Sequence, residues 1–163
     1  MNTLEYSPEI SLLLRMLDEA FERKAWHGPN LKGSLRGVTA AQAAWRPATG
    51  RHNIWEIVVH AAYWKYAVNR RLTGGKRGSF PQKGSNWFRR PEIESEAAWR
   101  ADLVILDQIH RAMRATIEKF PPSRLNSRPS GSKVSNLTLI YGIAAHDLYH
   151  TGQIQLLKKG VRP

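Results

Sequence analysis

The sequence predicts an all-α fold, a four-helix bundle with long connecting loops. Apolar residues recur at the 3.6-residue helical period in four segments, and almost nowhere do they alternate with the period of two that a strand requires. Each segment spans about five turns and is bounded by capping and stopping residues, the length and spacing of a bundle helix.

The first predicted helix runs from about Pro8 to Lys24, with Ile10, Leu13, Leu14, Leu17, Ala20 and Phe21 on one stripe and Pro8 suited to its first turn. A short helix follows at Thr39-Ala40-Ala41-Gln42, which has the spacing of a capping box. The second long helix runs from about Asn53 to Leu72, opened by His52 or Asn53 and closed by Thr73-Gly74-Gly75. The third begins near Ser95 after an acidic approach (Glu92, Glu94, Glu96), as a helix N-terminus prefers, and ends at Phe120 before Pro121-Pro122. The fourth starts near Ser135 or Asn136 and ends at Gly160. The connections Gly74–Pro91 and Pro121–Lys133 are long and rich in Gly, Pro, Ser and Arg, which marks functional or mobile loops.

Composition narrows the chemistry. With 163 residues and 42% hydrophobic content the chain suits one domain spanning 1–163. Zero cysteines exclude a disulfide framework, thiolate metal sites, iron–sulfur clusters and a cysteine nucleophile, and fit a reducing compartment. Met1–Ile10 lacks the basic flank and apolar run of a leader, and no apolar stretch approaches the ~20 residues of a membrane span. A soluble, cytoplasmic protein with no membrane partner is expected. The serine elbow G-x-S-x-G, the Walker loop and the dinucleotide fingerprint are all missing, so those enzyme classes have no support.

On the fourth predicted helix, Leu139, Ile143, His146, His150, Gln153 and Leu157 form the seam expected to face the interior. His146 and His150, at i and i+4, share one face one turn apart. A lone interior histidine usually finds a hydrogen bond, but two in successive turns are harder to satisfy, and one divalent cation satisfies both. The second long helix offers a third imidazole, because Glu56, His60, Tyr63 and Ala67 share a face at the edge of an apolar stripe. If these helices pack together, three neutral ligands meet in the bundle core and leave a bound cation its full charge.

His110 lies on an equally good seam with Trp99, Leu103, Leu106, Met113 and Ile117, where it is expected as a hydrogen-bonded core residue or, alternatively, a fourth ligand or a donor to one. His27 and His52 fall at helix ends and read as solvated. The run His146-Asp147-Leu148-Tyr149-His150 approaches the metalloprotease H-E-x-x-H, but Asp147 is one methylene shorter than the general-base Glu and reads as a surface acid or a residue behind the ligands. Tyr63 and Tyr149 read as packing residues with a polar tip that either could offer to a substrate anion.

Asn53-Ile54-Trp55-Glu56-Ile57-Val58-Val59-His60, together with His146-Asp147-Leu148-Tyr149-His150-Thr151-Gly152-Gln153-Ile154, resembles the DinB-like superfamily of DinB/YfiT-like metalloenzymes. Val38–Pro47 is similar to the run that follows the first helix in that family, so the resemblance covers nearly the whole chain. It implies a four-helix bundle holding a divalent metal through His60, His146 and His150. Zinc or nickel is the first expectation for the metal, with iron or manganese as alternatives. It further implies a metal-dependent hydrolase, or a transferase using an exogenous low-molecular-weight thiol, acting on a small molecule. A homodimer is the expected assembly.

Charge supplies the competing reading. The chain carries 25 Lys+Arg against 13 Asp+Glu, a formal charge of +12. Eight basic residues and no acid lie between Lys65 and Arg90, with Trp87 and Phe88 among them. Such a segment could serve a nucleic-acid-binding or interaction module with a structural metal, be a solvated surface, or draw an anionic substrate towards the metal. The basic residues are not periodic on one helix face, which favours the last two.

Overall fold

The computed structural model describes residues 6–161, so the first half of the Met1–Ile10 segment lies outside it. Its helices are α1 (Pro8–Phe21), α2 (Leu31–Ser34), α3 (Ala40–Ala44), α4 (Ile54–Thr73), α5 (Glu96–Glu118) and α6 (Asn136–Gly160), with a 3-10 turn at Pro122–Arg124. Among the described residues there is no strand, and no helix is long and apolar enough to cross a membrane. The four long helices form a ring in which α1 and α4 each pack against both α5 and α6.

Local chemistry starts each long helix close to where the sequence places it. Side-chain oxygens of Ser7, Asn53, Ser95 and Ser135 accept from the backbone N–H three residues on, satisfying donors that the first turn leaves open. The capping box at Thr39 is complete, with Gln42 N–H donating to the Thr39 hydroxyl and Thr39 N–H to the Gln42 side chain. Gly74 ends α4 at φ +70°, a left-handed conformation that a Cβ would strain. α1 stops at Phe21 rather than Lys24, because Glu22, Arg23 and Lys24 add nothing apolar to its stripe. α2 is capped by Asn30 and was not expected; one turn is too short to show a period.

The core follows the predicted stripes on α1, α4 and α5. Trp55 and Trp99 are fully buried, and their indole N–H groups donate to Asp102 and to the Val38 carbonyl. On α6 the buried face coincides with the predicted seam only in part: Leu139, Ile143 and His150 are buried, Ile140, Ala144, Asp147, Thr151 and Ile154 join them, and His146, Gln153 and Leu157 are only half-buried. His60 and His150 are therefore buried, and of the three histidines only His146 reaches towards the edge of the bundle.

Asp147 is not a surface acid. Its carboxylate and the Lys65 ammonium pair with both side chains fully shielded from solvent. Burial pushes Lys65 down and Asp147 up from their ordinary pKa values, each opposed by its partner. The ammonium also lies 5.1 Å from the centre of the Phe21 ring, a cation–π contact. On that ring stacks His110, at 3.6 Å and 11°. Neither His110 nitrogen has a hydrogen-bond partner, so the expected hydrogen-bonded core histidine is a stacked one instead. Burial, with Lys65 next in effect, pushes its pKa down to about 2, leaving a neutral ring.

Removing one partner of a buried pair strands the other charge, which costs about 3–5 kcal/mol, whereas replacing both by apolar side chains is often neutral. Lys65→Met should therefore lower the urea unfolding free energy by about that much. Lys65→Met with Asp147→Leu should recover most of it, and denaturant titrations of the three proteins test this.

Candidate metal centre

α4 carries His60 and α6 carries His146 and His150, and the contact between these helices brings the three imidazoles together. His146 Nε2 lies 3.2 Å from His60 Nε2 and 3.1 Å from His150 Nε2, and the three residues' candidate ligand atoms all fall within 4.8 Å of one another.

The outer nitrogens explain this orientation. His60 Nδ1–H donates to the Asn86 carbonyl at 2.8 Å, and His150 Nδ1–H to the Gln153 side-chain carbonyl at 2.6 Å. Carbonyl oxygens can only accept, so each neutral ring carries its hydrogen on Nδ1 and turns a bare Nε2 lone pair inward. Burial pushes His60 down to about 4 and His146 to about 3, and lowers His150 as well. At neutral pH the cluster thus presents neutral donors. A hydrogen on His146 Nε2 can serve one neighbour and leaves the other lone pair unanswered. A cation answers all three, and nitrogens on one first-row ion at ~2.0–2.1 Å stand roughly 3 Å apart. The residues present fit a metal.

The connection between α4 and α5 closes over His60. Trp87 stacks on His60 at 3.8 Å and 9°, and on His52 at 3.6 Å and 5°. Asn86 takes φ +64°, a left-handed conformation Asn tolerates better than most residues, and its side-chain oxygen accepts from Trp64 Nε1 at 2.9 Å. Arg90 ties down the far end: its guanidinium binds Asp102, its N–H donates to Glu56 and its carbonyl accepts from Asn53.

Glu56 shares a face with His60 but is not among the clustered groups. It holds Arg46 and accepts from His52 Nδ1 at 2.8 Å. Burial alone would raise its pKa; Arg46, His52 and the Arg90 N–H outweigh that and lower it. His52 is thus half-exposed but engaged, while His27 is exposed as expected. Tyr63 packs against Phe80 and Phe88, whereas Tyr149 is 65% exposed. The sequence reading missed the carbonyl partners. Gln153 was findable, standing three residues after His150 on the same helix face; Asn86, in a loop, carried no such signal.

Two openings reach the histidines. A cavity of about 330 Å³ beside His150 is walled by Arg51, His52, Trp87, Tyr149, Gln153 and Leu156 among others. A smaller depression of about 160 Å³ reaches His146 and is bordered by Trp64, Arg71 and Leu139.

The family model of the DinB superfamily matches residues 15–154, a span containing His60, His146 and His150. The chain belongs to the DinB superfamily. No match was found among curated proteins or among solved structures. In this DinB-superfamily chain, a three-histidine group that could hold a metal ion thus sits between α4, α6 and the loop that follows α4.

Carbonyl partners that orient ligating histidines typically contribute 10–100-fold to metal affinity. Gln153→Leu should weaken metal binding within roughly that range without changing helix content. Competition with a chromophoric chelator measures the first, and far-ultraviolet circular dichroism the second.

Proposed function

We propose that this chain is a metal-dependent enzyme in which His60, His146 and His150 hold one divalent cation and a small molecule binds beside them, in the cavity lined by His150. The observation that carries this reading is the convergence of three Nε2 atoms, two of them oriented by acceptors behind the rings. Three imidazoles suit zinc or nickel first, with iron as a further choice and manganese less favoured. Such a cation supplies Lewis acidity towards a water or an added low-molecular-weight thiol. Hydrolysis and thiol-dependent transfer are accordingly the two reaction classes. The chain has no cysteine, so any thiol must come from outside.

The chain's own groups have separable roles. His52 lines the cavity with Nδ1 held by Glu56, which leaves Nε2 to take or give a proton there. Arg51, on the same wall, offers a cation to an anionic substrate, and Leu156 and Leu157 offer apolar surface to the rest of it.

Protein purified without an affinity tag should contain about one equivalent of divalent metal per chain by elemental analysis, and His146→Ala should lose most of it. Activity found by screening hydrolytic and thiol-transfer substrates should vanish on chelation and return on reloading. His52→Gln should keep its metal and lose rate. Activity that survived complete metal removal would overturn the proposal.

We propose further that the protein is a homodimer formed through the outer face of α6. Tyr141, Ala145, Leu148 and Gly152 follow one another there at helical spacing, all exposed and none charged. Two molecules of formal charge +12 repel over most of their surfaces, and this stripe lets them approach without opposing like charges. Light scattering should give twice the 18.5 kDa chain mass, and Leu148→Glu should give the monomer. A monomeric wild type would exclude the dimer.

A further inference from the structure

The eight basic residues between Lys65 and Arg90 do not act as one surface. Lys65 is buried against Asp147, and Arg90 binds Asp102. Four of the others converge on a separate cleft of about 560 Å³ between the last turns of α4 and the loop 77–85. Arg70 and Arg71 enter it from the helix, Arg77 and Lys83 from the loop, and no acidic residue lines it. None of these four side chains pairs with a carboxylate among the described residues.

Aromatic packing holds the cleft in shape. Phe80 packs on Tyr63 at 5.3 Å, on Tyr66 at 5.6 Å and on Phe88 at 5.2 Å. The Tyr66 hydroxyl accepts from both the backbone N–H and the hydroxyl of Ser79. The loop that carries Arg77 and Lys83 is thereby fastened to the helix that carries Arg70 and Arg71. Four cations are held around one concavity, although unpaired like charges on a free loop would separate in water. The carbonyl end of α4 offsets them by only about −0.5 charge.

We propose that this cleft binds a small molecule bearing two phosphate groups, such as a diphosphate ester. At neutral pH the terminal phosphate of a diphosphate ester carries about −1.5 to −2 charges and the inner one about −1, so its total of roughly −3 is close to the four cations less the helix-end charge of about −0.5. Guanidinium forks fit phosphate oxygens in pairs, and three of the four cations are arginines. Tyr63 and Trp64 line the same cleft and give the remainder of the ligand an apolar wall. The cations surround a pocket rather than track along a face, which favours a compact ligand over a nucleic-acid strand. Trp64 and Arg71 also border the depression that reaches His146, so the cleft adjoins the metal centre without sharing its ligands. The inference holds whether or not that centre is catalytic.

Calorimetric titration with inorganic pyrophosphate and with adenosine diphosphate, at near-physiological salt, tests it. The metal-loaded protein should bind pyrophosphate with a dissociation constant below about 100 μM, a free energy near −5.5 kcal/mol. Arg70→Ala with Arg77→Ala should weaken binding at least tenfold while metal content stays the same. Arg77→Ala with Lys83→Ala, confined to the exposed loop, should do likewise. Arg36→Ala with Lys119→Ala removes the same charge elsewhere and should leave affinity unchanged, as should His146→Ala. An equal loss in the Arg36/Lys119 variant would reduce the effect to net charge. Loss in His146→Ala alone would place the phosphates on the metal. A single-stranded oligonucleotide that displaced pyrophosphate, with a salt dependence of several phosphate contacts, would make the cleft a nucleic-acid surface. Each of these three results overturns the proposal.

Discussion

The arrangement of the three clustered histidines depends on one ion pair, Lys65 with Asp147, buried between α4 and α6. Lys65 stands five residues after His60 on α4, and Asp147 stands between His146 and His150 on α6. Two opposite charges without access to water tolerate almost no displacement, because separating them exposes each to the full desolvation penalty. A slip of one residue between the helices, or a rotation of α6, would separate them. The pair and the apolar contact between α4 and α6 together hold the register in which His60 faces His146 and His150.

What could be read from the sequence follows from which interactions are local. Helix starts depend on a capping side chain and the N–H three residues away, so Asn53, Ser95 and Ser135 were legible as starts, and Pro8 marked the first turn of α1. The i, i+4 spacing of His146 and His150 is equally local, and both belong to the observed cluster with His60. The inward face of α6 was legible only in part: Leu139, Ile143 and His150 are buried as expected, whereas Asp147, Thr151 and Ile154 are buried outside the expected seam. This helix is apolar around nearly its whole circumference, so periodicity cannot say which side is buried. A buried lysine settles the question, but Lys65 reads as surface charge until its partner is known. His110 was placed correctly on the α5 seam and given the wrong neighbours, since an aromatic stacking partner on α1 leaves no trace in local spacing.

The loop between α4 and α5 is the part least visible in the sequence and the part that completes the site. Its residues pair with distant side chains: Arg90 with Asp102, Trp87 with His52 and His60, and the Asn86 carbonyl with His60. These contacts make the loop a second wall rather than a mobile cover, and they pass through Glu56. Its carboxylate gathers Arg46, His52 and the Arg90 N–H at one point, coupling the segment before α4 to the one after it. A bundle supplies ligands on straight rods, and irregular segments held in this way supply the shape around them.

Electrostatics ties the loop to the bundle. Both acids nearest the histidines are already paired, Glu56 with Arg46 and Asp147 with Lys65, so neither offsets the charge of a cation at the cluster. The histidines themselves are neutral donors. Around them stand Arg51 on the cavity wall and Arg71 beside the depression that reaches His146, and the acid-free cleft lies beyond Trp64. The local field is therefore positive on the approaches to the centre, and it is strongest where low-dielectric aromatic walls limit screening by solvent. A carboxylate-rich centre would hold its metal more firmly and repel anions. Here the carbonyls of Asn86 and Gln153 orient two of the three imidazoles, and the positive charge on the approaches comes from Arg51 and Arg71.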